Sequence, residues 1–526
     1  MDPDRSESIS TSTRRRFLAG LLAVGGAVAV GSGPLDPARN SEPQAGPPLD
    51  LPRPETEARF APEPASATPS TATAGSEATS GATATATPSP FLDAVALDCD
   101  VCVVGGGAAG CAAAVSAARS GVRTVLLEES FVLGGNTTRG LVSFDLVAYG
   151  GDRPLVRGFF QEIIRDMESR GEAVYPSADT RFSVPYDPDD LRRTLLATAL
   201  RAGVDVRLGT RAVRVTVEDR GIAAVWASEQ GRALEVRATT YVDCTGDGHL
   251  GFLAGNGYWF GDDAHKQIQG QTLIFYAGPV DFERLAAFSQ KNGSLVHRYQ
   301  VVGLRDVIAG AVAGGLISGT PQHGVLINKT MREGVVSISG SETYRNHLEP
   351  GTAARIAAEL EEQDYQIHQV LREQVPGFEE SSITRLADRP YLREGRRLIG
   401  YQQLTGDQVL AGAKPPNSIA RGWYPIDLHV AYKGGPVQLG HPRSGDWYGI
   451  PYGCLVARDL DNLLVAGRCI SATHEALGSS RISPVSMSLG QAAGVAAAFA
   501  SKGGKRPKDV NPGLVQSQVL DQGGLI

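Results

Sequence analysis

The stretch LDCDVCVVGGGAAGCAAAVSAARSGVRTVLLEES, residues 97–130, constrains the fold more than any other part of the chain. An apolar run reads as a buried strand, and Gly105, Gly107 and Gly110 form a G-x-G-x-x-G turn directly after it. Small residues then carry a helix to Gly121, and a second apolar run ends in acid at Glu128. The first glycine permits the turn, the second lets backbone approach a pyrophosphate, and the third lets helix and strand pack closely. Amides at the helix start then point at the phosphates. Glu128, 18 residues after Gly110, sits where a carboxylate accepts the ribose hydroxyls of an adenosine. Strand, turn, helix and acid in this register predict a dinucleotide-binding βαβ unit at the head of the folded chain.

The remaining pattern is that of an α/β protein. DPDDLRRTLLATALRAG is a helix with aspartates in its first turn, and the alternating run after it reads as a β-meander. A further buried strand, YVDC, runs into a second G-x-G-x-x-G at Gly246, Gly248 and Gly251. Its continuation, HLGFLAGNG, is too broken by glycine for a crossover helix, so it is not read as a second nucleotide site. A helix is expected near 352–373. NLLVAGRCIS is a strand and turn, and SPVSMSLGQAAGVAAAFASKGG is a helix with Ser483 as N-cap, Pro484 at its first position and Gly503 as its stop. Gly490 and Gly494, four apart, permit close backbone packing on one face.

The N-terminus carries a different message. In STRRRFLAG, Arg14 and Arg15 precede Phe17 and Leu18 and a weakly apolar stretch to Gly33, the order of parts in a twin-arginine export signal. From 61 to 90, 26 of 30 residues are Ala, Pro, Ser or Thr, a composition that cannot offset its own ordering entropy and reads as a disordered tether. A net charge of −7 argues against nucleic acid as a partner. Six cysteines in 526 residues are not a disulfide scaffold, and Cys99 and Cys102, on one buried strand, face opposite ways and receive no chemistry. The nine histidines show no H-E-x-x-H spacing, and no metal site is assigned.

Behind Glu128, FVLGGNTTRG supplies a loop suited to the middle of a long cofactor. With that loop, YVDCTGDG and NLLVAGRCISATHEALGSSRISPVSMSLGQAAG, the chain resembles the two-dinucleotide-binding-domain flavoproteins of the glutathione reductase superfamily. REGRRLIGYQQLT and YGIPYGCLV are similar to the family generically called FAD-dependent oxidoreductases, some members of which carry a xanthan-lyase-like label. The resemblance implies non-covalent FAD held by Gly105, Gly107, Gly110, Glu128, Gly134, Gly135, Asn136 and Thr137. It implies Thr245, Gly246 and Asp247 near the pyrophosphate, Gly467 and Arg468 near the ribityl chain, Ser486 and Met487 at a helix start facing the flavin, and Val213 giving backbone contact to adenine. The family usually has Pro or Ala where this chain has Ala108, and no His follows Gly135 to attach the flavin covalently. FAD is loaded in the cytoplasm and completes a fold, which is consistent with an export route for folded proteins.

For the proton that accompanies hydride transfer, His474 and Arg481 in THEALGSSRIS are candidates, because His titrates near neutrality and Arg keeps its charge. Arg393 in REGRR is a candidate for binding an acidic substrate. No cysteine pair follows Gly135 to serve dithiol chemistry. The expected architecture is a Rossmann-like FAD-binding domain, discontinuous over 96–251 and 451–505, with an inserted α+β substrate domain over 252–450. A signal over 1–33, a linker over 34–95 and a tail over 506–526 complete it. The expected function is an exported oxidoreductase exchanging hydride between a small organic substrate and flavin N5, with a quinone, cytochrome or oxygen as electron partner. It would reach a periplasmic or extracellular site through the twin-arginine machinery, and remain membrane-tethered if the signal is uncleaved. Two rivals are a flavin-dependent lyase or isomerase acting on a saccharide and a scaffold that keeps FAD as a structural ligand.

Overall fold

The computed structural model describes residues 94–526 apart from 146–148, 151–152, 178–179, 181–182, 320, 323, 432–434 and 443–445. The expected signal, and all but the last two residues of the expected linker, lie outside the described residues.

Two sheets organise the described chain. The first begins with β1 (Val95–Val104), α1 (Ala108–Arg119) and β2 (Thr124–Glu128), the βαβ unit expected from the glycines. Next come α2 (Pro188–Arg201), β3 (Asp205–Leu208), β4 (Thr210–Glu218), β5 (Gly221–Glu229) and β6 (Arg232–Asp243). The start of α2 is fixed by Asp187, whose carboxylate accepts from the backbone N–H groups of Asp189 and Asp190. Strands β3, β2, β1 and β6 lie side by side and parallel. Beyond them β4, β5 and the first half of β6 form the expected meander.

The second sheet comprises β7 (Ile274–Gly278), β8 (Leu295–His297), β9 (Gln300–Gly303), β10 (Val325–Lys329), β11 (Val336–Ser339) and, after the helix α3 (Ala353–Gln374), β12 (Ser382–Leu386). Its order is β8-β9-β10-β11-β7-β12, antiparallel throughout. Phe275, Ile327 and Ile338 share one core with Ile367, Val370 and Leu371 of α3.

The chain then returns to the first sheet. Strand β13 (Leu463–Val465) adds parallel to the last residues of β6, Tyr241–Asp243, and so closes the sheet with a segment more than 200 residues away in sequence. Short α4 (His474–Ser480) and long α5 (Ser483–Gly503) follow. Helix α5 lies against α1 at backbone distance: a Cβ on Gly490 or Gly494 would stand 2.0 or 2.1 Å from the carbonyl oxygens of Ala109 and Ala113. Glycine is therefore required at both positions, and the alanines of α1 are small for the same reason. The start of α5 differs from expectation by one residue, with Ile482 at the cap and Ser483 already helical.

Two boundaries differ from the sequence reading. The second core extends only from about Phe275 to Phe378, narrower than 252–450, because Leu398, Ile419, Ala420, Ile426, Leu428 and Ile450 pack into the first core. Nor is 506–526 a tail: α6 (Pro512–Asp521) is capped by Asn511 and buries Val515 and Val519 in the first core. All six cysteines are free and buried; burial pushes the Cys99 thiol up to about 12, which fits the absence of any chemistry assigned to it.

Candidate functional site

The C-terminal ends of the parallel strands open onto a cleft of about 460 Å³. This is where open α/β sheets place their ligands, because strand ends and helix N-termini converge there. One wall is the glycine turn. Gly105 has φ +99, and a Cβ there would meet the backbone of Cys244 at 2.6 Å. A Cβ on Gly110 would stand 1.7 Å from the Gly105 carbonyl oxygen, so this glycine keeps α1 against the turn. Gly107 is different. Its φ of −68 and ψ of −173 suit any residue, and a Cβ there would meet nothing within 4 Å. The space above Gly107 is thus kept clear by the missing side chain, as a diphosphate lying on backbone requires.

Glu128 closes the same wall. Its carboxylate accepts from the Gly106 N–H at 2.6 Å and from the Ser130 N–H at 2.9 Å and hydroxyl at 2.6 Å. A carboxylate has about four acceptor positions, so lone-pair capacity remains for a ribose hydroxyl. Gly134, Gly135, Asn136 and Thr137 line the cleft beside it, and the Asn136 amide donates to the Leu392 carbonyl at 3.2 Å.

The opposite wall is built by the turn after β6. Buried Asp243 accepts from the Thr245 N–H and hydroxyl and the Gly251 N–H. Burial raises its pKa, with those bonds acting against the shift. Thr245, Gly246 and Asp247 are thereby held at the cleft. Arg468 spans this wall, donating to the Gly246 carbonyl at 2.8 Å, the Leu392 carbonyl at 2.6 Å and the Asp247 carboxylate at 2.6 Å. Burial opposes ionisation of Asp247, but Arg468 and His347 outweigh it and hold its carboxyl well below the usual carboxylate range. Arg211, Arg389, Arg393, Arg396 and Arg481 also line the cleft, against the acids Glu128, Glu129 and Asp247, a balance that suits a diphosphate.

A second, smaller cavity of about 120 Å³ adjoins the first, and Tyr391, Arg393, Arg481 and Ser483 line both. Arg481 donates to the Tyr391 hydroxyl and, at 3.1 Å, to Asp427. Arg393 donates to the Gly270 carbonyl at 2.8 Å and the Thr272 hydroxyl at 2.7 Å. His429, on the cavity wall, has Nδ1 2.6 Å from Glu342 and Nε2 3.4 Å from Asp427. Burial works against both carboxylates, yet His429 and the arginines hold each below its ordinary range.

The structure brings together most of the residues singled out in the sequence. Thr245, Gly246, Asp247, Gly467, Arg468 and Ser486 line the larger cleft, and Arg393 and Arg481 stand where the cavities meet. Three residues lie elsewhere. Val213 is 42% exposed, and its neighbours Thr210, Arg211 and Ala212 line the cleft instead, a register offset on β4. Met487 is buried in the first core behind Ser486. His474 lines neither cavity; it is buried with Nδ1 2.9 Å from Glu394. His429, Glu342, Asp427, Tyr391 and Arg389 went unmarked in the sequence, because no local motif carries them and 87 residues separate His429 from Glu342.

The chain matches the family model described as FAD dependent oxidoreductase over residues 100–519. Thiamine thiazole synthase of Aeropyrum pernix is 33% identical over 158 residues, covering 28% of this chain and 54% of that protein, so the chain spans about half the length of this curated relative. A geranylgeranyl bacteriochlorophyll reductase-like protein from Thermoplasma acidophilum is similar in structure with a TM-score of 0.42 and 14% identity, over 81% of this chain and 83% of that one. The flavin-dependent brominase Bmp2 gives a TM-score of 0.45 and 12% identity, over 81% and 84%.

Proposed function

The chain belongs to the FAD-dependent oxidoreductase family, and from that premise we propose that it oxidises or reduces a small organic substrate held in the smaller cavity, by hydride exchange with the flavin. The observation that carries this reading is the junction of two cavities through Tyr391, Arg393, Arg481 and Ser483. Bound FAD supplies reversible two-electron chemistry. The chain's own residues supply the rest. Gly105, Gly107 and the amides opening α1 would hold the diphosphate, and Glu128 the adenosine ribose. Thr245, Gly246, Asp247, Gly467 and Arg468 would hold the middle of the cofactor. The first turn of α5, beginning at Ser483, offers a backbone N–H group and the positive end of a helix dipole to charge that develops beside it. Arg481 keeps a fixed positive charge at the junction, and His429, whose ring nitrogens face Glu342 and Asp427, is placed to exchange a proton with substrate through Asp427, which lines the same cavity.

The twin arginines at Arg14 and Arg15 support delivery of the folded flavoprotein across a membrane by the twin-arginine machinery, to a periplasmic or extracellular site. Its electrons would then pass to a quinone, a cytochrome or oxygen. Anaerobic titration with candidate substrates tests the redox reading: substrate must bleach the flavin band, and turnover without bleaching would refute net redox. Replacing Arg14 and Arg15 by lysine must retain the protein in the cytoplasm, and unchanged export would refute the route.

A further inference from the structure

The wall of the smaller cavity is unusual for a buried sheet face. On β10 and β11, side chains alternate: Val325, Ile327, Val336 and Ile338 face the core shared with α3, while Asn328, Ser337 and Ser339 face the cavity. All three of these polar residues are at most 9% exposed, so they do not face bulk water. A buried sheet face built for stability is aliphatic. This one instead presents two hydroxyls and an amide, beside Leu326 and Ile274, to the space next to the cofactor cleft; the amide also accepts from Gln300 and donates to Ser143.

Facing that wall are two buried guanidiniums, Arg393 at 4% exposure and Arg481 at 8%, each with an Nε that has no hydrogen-bond partner. A buried guanidinium needs its charge matched, by neighbouring carboxylates or by a bound anion. The charges nearby point to the ligand's sign. Glu342 and Asp427 offset the two arginines. His429 has a carboxylate oxygen facing each ring nitrogen, Glu342 at Nδ1 and Asp427 at Nε2. The two carboxylates thus divide their acceptor oxygens between His429 and the arginines, which leaves guanidinium donor capacity for an anionic ligand. A volume of about 120 Å³ admits a ligand of roughly ten non-hydrogen atoms.

We propose that the smaller cavity is a substrate subsite for a short hydroxy acid, with its carboxylate against Arg393 and Arg481 and its hydroxyls against Asn328, Ser337 and Ser339. The proposal rests on the reading of the larger cleft as the cofactor site. It disfavours a wholly aliphatic substrate, which would add no partner for the Ser337 and Ser339 hydroxyls or the two guanidiniums.

Isothermal titration calorimetry on the FAD-loaded full chain tests it with three four-carbon probes: erythronate, its neutral analogue erythritol, and butyrate, which lacks the hydroxyls. Erythronate must bind about ten- to a hundredfold more tightly than either of the others. Arg393→Gln must abolish that preference over erythritol. Ser337→Ala with Ser339→Ala, which leaves the charges in place and removes only two hydroxyl oxygens, must erode the preference over butyrate by roughly threefold or more while the preference over erythritol persists. Flavin absorbance, recorded on every sample, is the control for the cofactor site. Equal binding of the three probes, or an erythronate affinity indifferent to the serine pair, in a protein that retains its flavin would overturn this proposal alone. A protein unable to hold flavin would overturn both readings.

Discussion

Two single methyl groups, placed three residues apart, should have opposite effects on this protein. In Gly107→Ala the new Cβ enters open space at a backbone conformation alanine accepts, φ −68 and ψ −173. The lower unfolded-state entropy of alanine favours the variant and its weaker N-cap preference disfavours it, so apoprotein stability should change by about 0.5 kcal/mol or less. The same methyl fills the space over which the FAD diphosphate must approach the backbone. Overpacking of that kind costs about 1–3 kcal/mol, or roughly 5- to 150-fold in FAD affinity. In Gly110→Ala the Cβ would stand 1.7 Å from the Gly105 carbonyl oxygen, so α1 must move off the turn. The cost there, about 3 kcal/mol, should appear in the apoprotein itself. Urea unfolding of the apoproteins and FAD titration by flavin fluorescence separate the two effects. A Gly107→Ala protein that binds FAD as tightly as the parent, or loses as much apoprotein stability as Gly110→Ala, would refute the assignment of the glycine roles.

Gly494→Ala puts a methyl 2.1 Å from the Ala113 carbonyl oxygen and should lower stability by about 1–3 kcal/mol in urea unfolding; a neutral result would contradict the close contact of α1 and α5. Asp247 has a depressed folded-state pKa, so its stabilising contribution is present above the ordinary carboxylate value of about 4 and fades as pH falls through the folded value. Arg468→Gln removes its nearest cation, so loss of FAD on acidification should begin at higher pH than in the parent; coincident release curves would show that the pair does not matter. With flavin content intact, His429→Asn should slow flavin reduction by about 10²- to 10⁴-fold, whereas His474→Asn, altering a residue outside both cavities, should slow it less than about tenfold. Stopped-flow rates in the reverse order would return the proton-carrying role to His474.

The parts of this architecture that were legible in the sequence are those whose cause is local. Gly105, Gly107, Gly110 and Glu128 act within one βαβ unit, so spacing alone located the turn that walls the larger cleft. Gly490 and Gly494 announced close packing because a helix repeats its face every four residues. The extent of the second core was not legible, because Leu398, Ile419, Ala420, Ile426, Leu428 and Ile450 follow the second sheet in sequence yet bury their side chains in the first core. Val213 left its neighbours' role because the register of β4 against β5 shifts between Ala212 and Arg214, an irregularity that no local motif announces. The cluster of His429, Glu342 and Asp427 exists only once the segment following β11 and the segment around His429 are folded against each other, and neither segment carries a motif. Helix α6 was the avoidable omission: Asn511 followed by Pro512 is a start signal of the same kind that marked α5.

The central claim, that the cleft over Gly107 holds FAD, is tested most directly by the visible spectrum of the natively purified protein together with FAD titration of Glu128→Ala. The account predicts a yellow protein that releases FAD on denaturation, and a variant that binds FAD at least about tenfold more weakly while its apoprotein remains folded. A colourless protein that takes up no flavin, or a Glu128→Ala variant with undiminished affinity, would contradict it.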